Sequence, residues 1–364
     1  MICAVDSVGL LSGAVRDVMP AVPKKSVLYQ LEHILVEASS DGSQLTATDT
    51  ELAISARIPA DVEAPGTALV PARKLYDVLR VLPGNLSCTV DATGERFVLA
   101  TPIGRYELPK LDASEFPELP RADHATTVTL APADAQAVAA ATVYAASTED
   151  YRGAITGVKF ELGSSLVAVA TDGYRLSTIS VPLDSASSDT LEAVVPARVV
   201  ELLSKAQGDV VLAFSDTHVY IESGNVRIAS QLIDLPYRQW RNAVPTERAG
   251  VLYIERDALL DAVKRVRVVG RGDKYTTVVL DLAMRTITCT SITSGARAEE
   301  TLPGRYDGPG MVIALDADYL QDAVQHLDAS NIEVRVIAPD KGVVIAPSEE
   351  SACKAYAVVM PRRL

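Results

Sequence analysis

The chain has 364 residues, enough for two or three hydrophobic cores, and its 34 Lys and Arg against 47 Asp and Glu leave a formal charge of −13. That balance argues against a general nucleic-acid coat but leaves room for a local basic surface, while 48% hydrophobic and 5% aromatic residues describe a globular protein with aliphatic cores. No apolar run approaches the ~20 residues that span a bilayer, and the opening MICAVD, with Asp6 and no basic leader, does not read as a signal peptide, so no membrane partner and a cytoplasmic location are expected.

In chain order, the first predicted helix covers 7–19 and is followed by an alternating run at 33–58, with hairpin-turn chemistry at Asp41-Gly42. VPARKLYDVLRVLPG (70–84) places Leu75, Val78, Leu79 and Leu82 at helical spacing, and the run 85–109 turns at Asp91…Gly94. A proline-bearing stretch at 117–128 precedes a helix over 132–146, strands over 157–183, and VPARVVELLSKAQG (195–208), with Val199, Leu202 and Leu203 on one stripe. Strands over 210–233 lead to a second proline-bearing stretch, 243–251, then a helix over 255–268 and strands over 276–293. ALDADYLQDAVQHLD (314–328) is a third short helix, with Leu320, Ala323, Val324 and Leu327 apolar, and strands follow over 331–347.

Equivalent points recur about every 120 residues, too long a period for a solenoid. The chain therefore reads as three copies of one unit, each helix, strands, helix, strands, with an internal two-fold; the expected domains are 1–121, 122–245 and 246–364. Alternation in the strands implies sheets covered on one face, by the helices.

Catalytic chemistry is not visible. There is no HExxH, P-loop, GxSxG elbow or dinucleotide fingerprint, and the scattered Cys3, Cys88, Cys289, Cys353 and His33, His124, His218, His326 fit neither a zinc site nor a disulfide framework, so no enzyme, metal or cofactor is expected. Glu299-Glu300 and Glu349-Glu350 are sequence neighbours that point apart, and Asp49 and Asp172, in TATDTELA and VATDGYRL, read as turn-fixing aspartates. The basic residues are more suggestive. Arg73, Lys74 and Arg198 start repeated helices, Arg16, Lys24 and Lys25 lie on or after the first helix, and Lys264, Arg265, Arg267 and Arg271 lie along or after the fifth. Like-placed basic helices can track a phosphate backbone without reading bases. The terminal AYAVVMPRRL reads either as a last edge strand or as the apolar rim of a docking pocket.

VPARKLYDVLRVLP (70–83), Ile155–Gly157 as IxG, VATDGYRL (169–176) and VVMPRRL (358–364), in this order in a threefold-repeated chain, resemble the bacterial DNA polymerase III beta subunit, the processivity sliding clamp family. The resemblance implies an α+β fold of three repeated DNA-clamp domains, each with two helices packed against antiparallel sheets, the chain forming half of a closed ring. It implies a non-enzymatic, head-to-tail homodimer that encircles double-stranded DNA without regard to sequence. The implied partners are a clamp loader, the DNA polymerase III catalytic subunit, and other polymerase or repair proteins with short clamp-binding peptides; the implied location is the cytoplasm, at the nucleoid. A protein-interaction scaffold and a specialised repair clamp are the alternative readings, whereas no base-reading helix of a regulator is apparent.

Carried over residue by residue, the resemblance makes Lys24, Lys25, Arg73, Glu149, Tyr151, Arg152 and Arg198 face DNA; Glu149 departs from the polar, uncharged residue common there. A peptide pocket would comprise Arg152, Ile155, Thr171, Gly173, Tyr174, Arg175, Leu176, Asn242, Ala243, Val358, Met360, Pro361 and Arg362, with Ile155, Leu176, Val358 and Met360 as apolar walls and the arginines free to pair with the peptide. Tyr174 replaces a common histidine and Asn242 a frequent arginine, so peptide preference would differ. The dimer contact would set Lys74, Arg105, Tyr106 and Leu108 against Val268, Val269, Glu299 and Glu300, with edge strands pairing across the join.

Overall fold

The computed structural model describes residues 1–120, 125–183, 191–349 and 353–363; the expected border at 121/122, His124, Glu350 and Leu364 lie outside them. Among the described residues are six α-helices: α1 Val8–Val18, α2 Ala72–Leu79, α3 Pro132–Thr142, α4 Ala197–Val200, α5 Arg256–Val266 and α6 Ala317–Gln325. Of the predicted stripes, Leu75, Leu79, Val199, Leu203, Leu320, Ala323, Val324 and Leu327 are buried, while Val78, Leu82 and Leu202 are half-buried. In α1 the buried stripe is Val8, Leu11, Ala14, Val15 and Val18; in α6 it is Ala317, Leu320, Ala323 and Val324. α4 is shorter than expected, tightening after one turn into a 3-10 segment, Glu201–Lys205, where the β-branched pair Val199-Val200 gives the α form little support.

Every α-helix follows on a strand, and each repeat is built twice from strand, helix and three strands, with an added strand, Asp61–Ala64 or Arg305–Asp307, between the halves of the first and third repeats. The strands leading into the second helix of each repeat, Gly66–Pro71, Leu191–Pro196 and Val312–Asp316, are not visible as alternation. Their centres (Ala68-Leu69-Val70 in the first, for example) are buried on both faces, which removes the period-two signal.

All strand pairs are antiparallel, and two sheets cross from one repeat to the next. An eight-stranded sheet joins Val226–Gln231 to Leu52–Ile58 (Ile228 opposite Ile54), and a nine-stranded sheet joins Lys354–Val359 to Arg175–Pro182 (Val358 opposite Leu176). Two smaller sheets have open ends: a five-stranded one ending at Gly104–Pro109 and a four-stranded one ending at Arg297–Thr301. Because sheets cross repeats, the compact units are not the repeats. One unit is residues 1–132 with 206–232, holding the eight- and five-stranded sheets; the other is 133–205 with 233–364, holding the nine- and four-stranded sheets.

In the second unit a half-buried carboxylate ties a loop to the sheet. Glu161, on Gly157–Leu162, accepts hydrogen bonds from Trp240 Nε1 (3.0 Å) and from Arg241 Nη1 (3.1 Å) and Nη2 (2.5 Å), and Lys159 Nζ lies 3.1 Å away. Burial alone would raise its pKa; the donors outweigh burial and bring it down from 4.5 to about 2. A depressed carboxylate stabilises the fold above its unfolded pKa and loses that contribution as pH falls through the folded one. Glu161→Gln is therefore expected to cost about 2 kcal/mol in urea unfolding at pH 7. That deficit against wild type should shrink as pH falls from 4.5 towards 2. A deficit independent of pH across that window would refute this account.

Candidate functional site

The site is assembled in the second unit from a turn, the C-terminal tail and α6. Thr171 Oγ1 accepts from the Gly173 amide (3.0 Å), and Asp172 Oδ1 accepts from the amides of Tyr174 (2.9 Å) and Arg175 (3.0 Å), with Gly173 at φ 89°. The first repeat builds the same turn, with Asp49 Oδ1 accepting from Glu51 (3.0 Å) and Leu52 (2.8 Å) and Thr50 taking the left-handed position at φ 83°. Both aspartates thus fix a turn, as expected. Asp172 also offers Oδ2 to Arg175 Nε at 3.0 Å.

The tail runs beside this turn. The Met360 amide donates to Tyr174 O (2.9 Å) and the Arg362 amide to Ala314 O (2.8 Å). Turn, tail and α6 enclose a concavity of about 700 Å³. Six of the predicted pocket residues line it: Arg152, Tyr174, Arg175, Met360, Pro361 and Arg362. Glu149, expected at DNA, lines it too, as do Ser147, Asp172, Tyr275, Asp316 and Tyr319, which the sequence reading did not place there. Tyr174 and Tyr275 are more than half exposed.

Of the expected apolar walls, Met360 lines the concavity. Ile155, Thr171, Leu176 and Val358 are buried, and Leu176 and Val358 pack with Val169, Trp240 and Val344 in an apolar cluster below the surface. Gly173, Asn242 and Ala243 are exposed but do not line the concavity. Asn242 and Ala243 sit on the 3-10 turn Trp240–Ala243, which Trp240 anchors into that cluster.

Each lining arginine is held by an acid and stacked on a tyrosine. Arg152 Nε meets Glu149 at 2.7 Å, Nη1 donates to Asp172 O at 3.0 Å, and the guanidinium lies 5.8 Å from the Tyr174 ring centre. Arg175 pairs with Asp172 and with Asp322 (2.6 Å) between the rings of Tyr144 (5.4 Å) and Tyr319 (4.6 Å). Arg362 meets Asp316 at 2.5 Å under Tyr275 (4.7 Å). Hydrogen bonds from Tyr151 and Arg152 hold the Glu149 carboxyl below the usual range, and burial pushes the Tyr144 hydroxyl up to about 12. The charges are thus neutralised in place, leaving tyrosine faces, Met360 and Pro361 to meet an apolar side chain.

The basic residues divide between the units. Lys24, Lys25 and Arg73 are exposed, and Arg73 Nη2 donates to Pro23 O (3.5 Å), bringing the start of α2 to the loop after α1. Arg198, at the start of α4, and Tyr151 are exposed on the second unit, whereas Arg152 is committed to the concavity. Arg265 pairs with Glu300 (2.7 Å) and Arg267 with Asp318, so these belong to local ion pairs.

Of the expected dimer residues, Arg105, Tyr106 and Leu108 lie on the open edge strand Gly104–Pro109, and Glu299 and Glu300 on the open edge strand Arg297–Thr301. Lys74 is exposed; Val268 is 50% exposed with Val269 half-buried beside it. Leu108 is buried within its own sheet, and Glu300 is already held by Arg265.

Comparison with known proteins bears on this arrangement. Residues 8–120, 129–238 and 241–363 match the N-terminal, central and C-terminal domains of the DNA polymerase III beta subunit. The beta sliding clamp of Escherichia coli K12 is 29% identical over 345 residues, 92% of each chain, and that of Synechocystis 27% over 383 residues, 97% of each. Among solved structures, the Bacillus subtilis sliding clamp superposes with a TM-score of 0.93 at 22% identity, covering 100% of this chain and 99% of that one. The C. crescentus beta sliding clamp gives 0.91 at 25% identity, with coverage of 100% and 99%. Three successive clamp domains in one α+β chain of antiparallel sheets, matched end to end, establish that the chain belongs to the DNA polymerase III beta subunit family, the sliding clamps that serve DNA replication as non-enzymatic processivity factors.

Proposed function

We propose that two copies of this chain, each of three domains near 1–121, 122–245 and 246–364, close head to tail around duplex DNA and hold it by topology. The observation that carries this reading is the pattern of joints between repeats. At both joints within the chain, the last strand of one repeat pairs with the fourth strand of the repeat before it: Val226–Gln231 with Leu52–Ile58, and Lys354–Val359 with Arg175–Pro182. The two strands that hold these places in the sequence order but lack a partner are Gly104–Pro109, last of the first repeat, and Arg297–Thr301, fourth of the third. Pairing them between copies repeats the same joint and satisfies two open edges at once.

Lys24, Lys25, Arg73, Arg198 and Tyr151 would face the phosphates, where screened contacts without base readout permit sliding. The strongly acidic remainder keeps the protein off DNA it does not encircle. The concavity would take a short partner peptide with a leucine or phenylalanine near its end, from the replicative polymerase, the loader or a repair protein. The cytoplasm, at the nucleoid, is the corresponding location; no helix among the described residues is long and apolar enough to cross a membrane.

Loading onto nicked circular DNA by a clamp loader with ATP tests the reading. Retention on the circle and rapid loss after linearisation are expected. Equal retention on both forms would mean ordinary binding through the basic residues and would overturn it.

A further inference from the structure

The third repeat departs from the other two at the point where its chain leaves the fold. In all three, the exit residue bridges by its backbone to the strand before the second helix: Leu111 to Leu69, Ile233 to Val194, and Arg362 to Ala314. In the first two the exit residue is apolar, and the residue before the helix is Pro71 or Pro196, neither of which caps it. In the third these become Arg362 and Asp316. Asp316 is only 7% exposed and does two jobs: Oδ1 accepts from the amides of Asp318 (2.9 Å) and Tyr319 (3.2 Å) to cap α6, and Oδ2 takes the Arg362 guanidinium at 2.5 Å. Tyr275 covers that guanidinium from above.

We propose that Arg362 and Asp316 form a latch that sets the tail, and with it Met360 and Pro361, in the wall of the peptide concavity; both are positioning residues. The inference rests on reading that concavity as a partner-peptide site. Met360 has its amide on Tyr174 O at one end and is separated by a single residue from the latch at the other, so the latch restricts the segment whose side chains meet the ligand. A nearly buried carboxylate left without its cation would draw water or the tail's other charges into the same place, so breaking the pair disturbs the wall as well as loosening it.

The test uses the full-length protein with Asp316→Asn, which keeps a capping side chain while removing the charge, Arg362→Met, which keeps the stem over Tyr275, and the double variant. Two quantities are measured: hydrogen exchange of the 358–363 segment, and the affinity of a fluorescein-labelled pentapeptide ending Leu-Phe by anisotropy. Each single variant is expected to speed tail exchange and weaken the peptide by about tenfold, and the double variant to be no worse than either single, as for two residues acting as one unit. Unchanged exchange and affinity in both singles, or fully additive losses in the double, would overturn the latch. Failure of the wild type itself to bind the peptide overturns the concavity reading instead, and the positioning role with it.

Discussion

Replacing Arg175 by alanine should lower the stability of the second unit by about 3 kcal/mol, the largest loss expected of any single exposed-to-buried truncation near the site. Arg175 retains 13% of its side-chain exposure and bridges Asp172 to Asp322, the first on the second repeat's turn and the second on α6 of the third repeat. Removing it takes the cation from two carboxylates, one of them only 14% exposed, and removes the guanidinium packed against Tyr144 and Tyr319. For a domain of this size that loss corresponds to a fall in Tm of roughly 6–12 °C. Arg175→Lys should recover only part of it, because an ammonium cannot serve Asp172 and Asp322 in two directions while lying flat between two rings. Differential scanning calorimetry of the three proteins decides the matter; an unchanged Tm in Arg175→Ala would show that the pair contributes no net stability.

If two copies join as proposed, a lysine in place of Val268 should leave the protomer folded and weaken that association by at least ~100-fold, read by sedimentation velocity across a dilution series. Val268 is half exposed on the 3-10 turn Arg267–Gly270, so its own unit has little to lose; burying an ammonium in a joint between copies has a large cost. Circular dichroism and Tm of the variant protomer serve as the control. A Val268→Lys protein that stays dimeric at the wild-type concentration would remove this turn from the interface, leaving the edge strands alone to make it.

Much of this was legible in the chain because it is written three times. The helical stripes of α1, α2, α5 and α6 are local patterns of 3.6-residue period, and repetition at a fixed offset distinguishes them from chance. The turn-fixing role of Asp49 and Asp172 was legible for the same reason: an aspartate two or three residues before the amides it accepts needs no tertiary context. What could not be read is pairing at long range. Nothing local to Arg175 announces Asp322, 147 residues later, and nothing local to Arg362 announces Asp316 and Tyr275. Sequence could therefore name these arginines but not the acids that hold them. Likewise nothing local to Leu176 or Val358 announces their cluster with Trp240.

The sheets that run from one repeat into the next make each repeat depend on its neighbour. A single repeat standing alone would present at least two open strand edges, each long enough to recruit another copy, and would be protected from indefinite aggregation only by a closed assembly of copies. A repeat cut out of this chain is therefore expected to associate with further copies. Carrying the joints at Ile228–Ile54 and Val358–Leu176 within one chain makes them independent of protein concentration. Linked repeats also need not be identical: the third carries Asp316 and Arg362 where the first two have a proline and an apolar residue.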